Sequence, residues 1–250
     1  MFQGSLIEVH EHLLKLRIVW QSLINLAGNT NKKSHFSEIP LICEANVTFN
    51  TCLAKLAIDL QVQRYIFVST YSTSMDGKSF SPQTLYAATK YASENILEYF
   101  RINEGLKLGI IQLYDIYGPN HHPDRLISSL LKKIVTGEKI RLSEGMQEIA
   151  PLYIEDACDG ILKAAKKISS ESIFRFSLLG SEIFKVRDLP NLVSEALQMS
   201  WLPNQVEFTR EYREREIMKV NPWYPPLVDW NPVYKFQDGI VASHKSRKKF

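Results

Sequence analysis

Between residues 65 and 90 the chain changes its hydrophobic period, and that change limits its fold more than any other feature. Tyr65-Ile66-Phe67-Val68 is an unbroken apolar, β-rich run closed by Ser69 and Thr70, the pattern of a strand buried on both faces of a parallel sheet. A polar loop with Gly77 and Pro82 follows. From residue 84 to about 100 the apolar positions, among them Leu85, Ile96, Leu97 and Phe100, return at helical spacing. Residues 107–114 read as another strand, and strands alternating with helices predict an α/β chain built on a doubly wound parallel sheet. Such sheets bind ligands at their C-terminal strand ends, where Ser69 and Thr70 would lie.

The same stretch carries chemistry. Tyr86 and Lys90 are four residues apart on the predicted helix, so their side chains leave one face and the ammonium can favour the ionised phenol. A phenol ordinarily ionises near ~10, and acid–base work near neutral pH needs that help. A Tyr-x-x-x-Lys match alone is weak, because a solvated helix face gives the same letters. Its place just after a strand ending in Ser-Thr is what points to an oxidoreductase site.

Composition excludes several classes. With 250 residues, 45% hydrophobic and 23% charged, the chain has ample material for a core, and no apolar stretch suggests a membrane span. A net charge of +3 is too small to argue for nucleic acid. The start shows no secretory pattern. Cys43, Cys52 and Cys158 lack metal-type spacing and are expected to be reduced, mostly buried thiols of a cytoplasmic protein. His121 and His122 are adjacent and therefore diverge, so no metal site is expected there. The basic end from His244 to Phe250 reads as a solvated tail.

Further along, short strands are expected near Ile140, at 173–179 and at 205–209, with helices at 126–136, 156–168 and 186–199.

Several landmarks recur together. Leu23-Ile24-Asn25-Leu26-Ala27-Gly28, Asn46-Val47 opening a helix that carries Leu53, Leu56, Ala57 and Leu60, Leu113-Tyr114-Asp115-Ile116-Tyr117-Gly118-Pro119, Pro151-Leu152-Tyr153-Ile154-Glu155-Asp156, Trp230-Asn231-Pro232 and Asp238-Gly239-Ile240 stand in this order around the Thr70, Tyr86 and Lys90 set. In order and spacing they resemble the extended short-chain dehydrogenase/reductases of the NAD-dependent epimerase/dehydratase family, most of which rework nucleotide sugars. The resemblance implies an incomplete doubly wound, Rossmann-like sheet in residues 1–120. It implies a smaller C-terminal α+β substrate lobe, mainly residues 121–250 and interleaved with the first.

It also implies roles. Tyr86 would pass a proton to or from a sugar oxygen, Thr70 would orient that oxygen, Lys90 would hold the nicotinamide ribose, and Asn46 would support Lys90 through water. Ala27, Gly28, Ser69, Leu113 and Ile116 would line NAD or NADP; Asp115 and Asn120 would meet the substrate, with Arg210 the first choice as its diphosphate clamp. Arg213 and Arg215 lie nearby among Glu211, Glu214 and Glu216, so a solvated charged stretch is the competing reading there. The family's usual Arg before the Tyr-Val-x-Asp segment is Ile149 here. A homodimer is a family expectation.

Dehydratases of the family follow the threonine with Asp-Glu, where this chain has Tyr71-Ser72, which argues against elimination of water. A 4-ketoreductase and a UDP-sugar 4-epimerase remain, with Tyr114-Asp115-Ile116 tipping the reading towards reductase. No Gly-x-x-Gly-x-x-Gly is present, and Gly4-Ser5-Leu6 resembles the segment after the family's third strand, with Ser5 at its adenine-contacting Asp. By that analogy the first strands are missing, the sheet begins on an open edge, and a binding remnant without activity stands as the alternative.

Overall fold

A computed structural model describes residues 6–16, 18–31, 35–167, 174–199, 206–208 and 219–247. In chain order it forms α1 (Leu6–Lys15), β1 (Leu23–Asn25), α2 (Ile39–Cys43), a π-helical turn (Glu44–Thr48), α3 (Phe49–Asp59), β2 (Tyr65–Thr70), α4 (Leu85–Glu104) and β3 (Leu108–Leu113). There follow β4 (Ile116–Tyr117), α5 (Leu126–Thr136), β5 (Ile140–Leu142), β6 (Glu148–Ile149), β7 (Leu152–Tyr153) and α6 (Ile154–Lys167). The last elements are β8 (Phe174–Leu178), β9 (Phe184–Lys185), α7 (Leu189–Ala196), β10 (Val206–Phe208) and α8 (Phe236–Arg247). The chain divides into two compact units, one of residues 1–112, 161–177 and 223–225 and the other of residues 113–160, 178–222 and 226–250.

The first unit is built on a sheet of order β1-β2-β3-β8, in which β1 runs parallel to β2 with Leu23 opposite Tyr65. All six residues of β2 are buried, as an unbroken apolar run with helices on its flanks requires. Tyr65, Phe67, Leu108 and Ile110 pack with Ala54, Ala57, Leu97 and Phe100 in one cluster. The α/β fold with a parallel sheet is as the sequence predicts. Helix α4 begins where Thr84 accepts a hydrogen bond from the amide of Ala87 and ends on left-handed Gly105, a matched pair of start and stop signals.

The second unit has its own core, in which Tyr117, Leu130, Leu131, Ile140, Tyr153, Leu189, Phe236 and Ile240 meet. Two parallel pairs, β4 with β7 and β5 with β10, and the antiparallel pair β6 with β9 form its sheet structure. Two of the sequence landmarks are structural here. The buried Asp156 carboxylate accepts the amides of Val233 and Tyr234, each at 2.9 Å. Gly239 leaves room for Tyr117, since a Cβ there would lie 2.1 Å from the phenol oxygen.

Three expectations need correction. The thiols are not mostly buried: Cys52 and Cys158 are exposed and Cys43 is half-buried, because Cys52 and Cys158 fall on the outward faces of α3 and α6. Asn46 does not open a helix. It lies inside a continuous helical run from Ile39 to Asp59, in the π-helical turn between α2 and α3. That run of 21 residues is also long and apolar enough by length and composition to cross a membrane, against the expectation of no such stretch. Its inner face carries buried Asn46 and Asn50, which bond within the first unit.

Candidate active site

The end of β2 and the start of α4 are tied together by backbone. After Thr70 the chain makes a 3-10 turn over Tyr71–Thr73, with Thr70 Oγ1 accepting the amide of Ser72. The carbonyl of Ser72 accepts the amide of Gln83 at 3.0 Å, and that of Thr73 accepts the amide of Ser81 at 3.1 Å. The strand end with Thr70 is therefore latched to the residues just ahead of the Thr84 cap, with Tyr86 the second residue of α4. Between the latches, Asp76 accepts the amides of Lys78 and Ser79, which holds its carboxyl down at about 2 and rigidifies the loop.

Thr70 is buried and its hydroxyl lies 2.9 Å from Ser72 Oγ. Tyr86 is half-buried, and its carbonyl accepts the hydroxyl of Thr89 at 2.8 Å. Asn46, fully buried, donates from Nδ2 to Thr89 Oγ1 and to the carbonyl of Asn29, each at 3.0 Å, while its Oδ1 accepts the amide of Asn29 at 2.7 Å. A π-helical turn rotates one residue out of the α register; here it lies where Asn46 bridges the segment after β1 to Thr89 of α4.

Lys90 is 2% exposed. It donates to the carbonyl of Ala27 at 3.2 Å and sits 4.3 Å from the centre of the Phe67 ring. Burial pushes it down to about 8, against the pull of the Glu94 carboxylate that favours the charged form. Asn25, at the end of β1, donates to Asn50 Oδ1 and Tyr65 and accepts the amide of Ala27; Asn50 and Ser93 in turn reach the carbonyl of Asn46. A satisfied buried network of this kind fixes its members in one arrangement.

Of the residues expected in the site, Ala27, Gly28, Asn46, Ser69, Thr70, Tyr86 and Lys90 belong to the first unit. Leu113, Asp115, Ile116 and Asn120 belong to the second. Leu113 ends β3, Asp115 and Ile116 are half-buried beside β4, and Asn120 is exposed in the left-handed conformation (φ 58°). Arg210, Arg213, Arg215 and Ser5 lie outside the described residues. His121 is half-buried with its pKa lowered by burial, then by Arg125 and His122, and no cluster of three metal-ligating side chains occurs among the described residues. Sequence reasoning missed Asn25, Asn50, Thr89, Ser93 and Glu94. Asn50 and Glu94 stand one helical turn past Asn46 and Lys90, a spacing that pointed to them.

The residues present fit a nicotinamide cofactor's ribose. A Cβ on Gly28 would lie 3.1 Å from Asn46 Oδ1 and 3.5 Å from Lys90 Nζ, so the bare glycine leaves a cradle between a cation and an amide oxygen.

Residues 17–175 match the model of the NAD dependent epimerase/dehydratase family. The chain belongs to that family. Among curated relatives, the UDP-glucuronate 4-epimerase of Thermodesulfobacterium geofontis is 26% identical over 161 residues, 61% of this chain and 50% of that protein. A dTDP-glucose 4,6-dehydratase of Xanthomonas campestris is 30% identical over 83 residues, 33% of this chain and 24% of that protein. The chain thus spans half or less of each of these two family members. The solved UDP-glucuronic acid 4-epimerase of Bacillus cereus in complex with NAD superposes with a TM-score of 0.81 at 17% identity, over 99% of this chain and 80% of that one.

Proposed function

We propose that this family member carries out NAD-dependent redox chemistry at one carbon of a nucleotide sugar, interconverting a hydroxyl and a ketone. The observation that carries the reading is the buried Lys90 amine, held on the Ala27 carbonyl beside bare Gly28. When bound, NAD would accept or supply the hydride. Lys90 would donate to its ribose hydroxyls and, as a cation one turn from Tyr86, favour ionisation of that phenol. Tyr86 would take the proton from the sugar hydroxyl or return it to the ketone oxygen. Thr70, its hydroxyl steadied by Ser72, would orient that oxygen. Ala27, Gly28, Ser69, Leu113 and Ile116 would line NAD, or NADP in the second instance, and Asp115, Asn120 and Arg210 would contact the substrate.

Elimination of water is disfavoured at this site. Tyr71 and Ser72 occupy the positions where the family's dehydratases carry an acid and a base, and Ser72 is engaged with Thr70. Of the two remaining reactions, Tyr114-Asp115-Ile116 favours reduction of a 4-keto sugar, whereas the 4-epimerase relative favours inversion at C4. Fluorescence titration with NADH and NADPH tests the first step, followed by turnover assays on a 4-keto-6-deoxy nucleotide sugar and on UDP-glucuronate. Saturable NADH binding with consumption of the keto sugar is expected. Folded protein that binds neither cofactor would sink the reading in favour of a binding remnant.

A further inference from the structure

The carboxylate of Glu94 has no part in the chemistry above, yet it is 2% exposed in the middle of the catalytic helix. It stands one turn beyond Lys90 on α4. One of its oxygens accepts the Ser69 hydroxyl and the other accepts the Tyr224 phenol at 2.6 Å. Ser69 is the residue immediately before Thr70 at the end of β2, and Tyr224 comes from 130 residues further along the chain.

We propose that Glu94 is a positioning residue: it clamps the strand end that carries Thr70 to the helix that carries Tyr86 and Lys90, and supplies the negative charge that the buried Lys90 amine faces. The inference rests on the functional reading above only in taking Thr70, Tyr86 and Lys90 as the site. A carboxyl buried among apolar neighbours tends to take a proton, and two hydroxyl donors oppose that by favouring the anion. Burial raises the Glu94 pKa, while Ser69, Tyr224, Arg175 and Lys90 pull it down. The other charges near it are accounted for. Arg175, from β8, bonds Glu98 at 3.3 Å, and Glu98 is shared with Arg101 at 2.7 Å; the Arg175 charge also favours the Glu94 anion, ahead of Lys90, while for Lys90 the Glu94 carboxylate is the charge that opposes burial. The clamp and the charge are then one device, because the hydroxyls that fix the carboxylate in place also favour its anionic form against the effect of burial.

The experiment follows the Lys90 side chain in the full chain labelled with 13C at the lysine ε carbon, with its resonance assigned by its loss in Lys90→Arg. No cofactor or substrate is added. In the wild type the titration curve of Lys90 should carry a second, smaller inflection where Glu94 loses its proton. Glu94→Gln keeps the size of the side chain and removes its charge; it should lower the Lys90 midpoint by about one pH unit, whereas Glu98→Gln should leave it in place. A folded Glu94→Gln protein with an unmoved Lys90 midpoint, or equal shifts in the two variants, would overturn the proposal. Should Glu94→Gln not fold, a wild-type curve with a single step overturns it equally. Failure of the chain to bind NADH would defeat the functional reading and leave this titration standing.

Discussion

The amine of Lys90 donates to the backbone carbonyl of Ala27, 63 residues earlier, at 3.2 Å. The bond joins α4 to the stretch after β1, and it does so with a side chain that burial depresses to about 8 from an ordinary 10.5. Because the folded value is the lower one, the unfolded chain binds the extra proton between these two pH values, and stability climbs with pH across that window. Below pH 8 the full cost of the buried charge is present, at most about 3 kcal/mol. Lys90→Met should therefore stabilise the protein at pH 7 by about 1–2 kcal/mol, after allowance for the lost hydrogen bond. Urea unfolding of both proteins should show the gain shrinking as pH rises towards 10.5. Any turnover should vanish in the variant. A gain independent of pH would contradict the assignment.

Thr70 and Ser72 make a second test. Thr70→Val keeps the shape and removes the hydroxyl that would orient the sugar oxygen, so turnover should fall on the order of 10²-fold, with stability reduced by about 1 kcal/mol for the lost turn cap. Ser72→Ala leaves the Thr70 hydroxyl in place and should cost less than tenfold. Steady-state rates on whichever of the two nucleotide sugars is turned over decide between the two effects.

Much of this arrangement was legible before the structure. The apolar run at 65–68 and the helical period after residue 84 fixed β2 and α4, because burial on both faces and burial on one stripe leave different patterns. The Thr84 and Gly105 caps lie where such residues belong. The π-helical turn left no comparable trace: one extra residue per turn does not disturb the apolar letters around Asn46, and the position read as an ordinary helix start. The exposed cysteines were misjudged because a thiol's preference for the interior is a statistical tendency, whereas the face of α3 or α6 it occupies is set by the register of its neighbours. Tyr224 was out of reach, since nothing local to Trp223-Tyr224 names a partner 130 residues away.

Gly28 offers a test that separates cofactor from fold. A methyl group there would come within 3.1 Å of Asn46 Oδ1 and 3.5 Å of Lys90 Nζ. Gly28→Ala should weaken NADH binding roughly tenfold or more, the scale of an overpacked contact, with little change in the thermal midpoint. Unchanged NADH affinity would remove Gly28 from the cradle.

Asp156 is expected to behave in the opposite way. Its two oxygens each take one backbone amide, from Val233 and Tyr234, and Asp156→Ala would leave both donors unmatched. We expect a loss of about 2–4 kcal/mol in urea unfolding, with Asp156→Asn less damaging because it retains one acceptor. A change below about 0.5 kcal/mol would mean that this motif serves something other than scaffolding.

The phenol that completes the Glu94 clamp belongs to a three-residue return, residues 223–225, of the chain to the first unit. A protein shortened before Trp223 would still possess every group assigned to proton and hydride transfer, but the acid beside Lys90 would have lost one of its two donors. Its anionic form would then be harder to maintain, and the amine's charge would weaken with it. The C-terminal third of the sequence thus contributes, through Tyr224, to the charge state of a carboxyl on a helix made long before it.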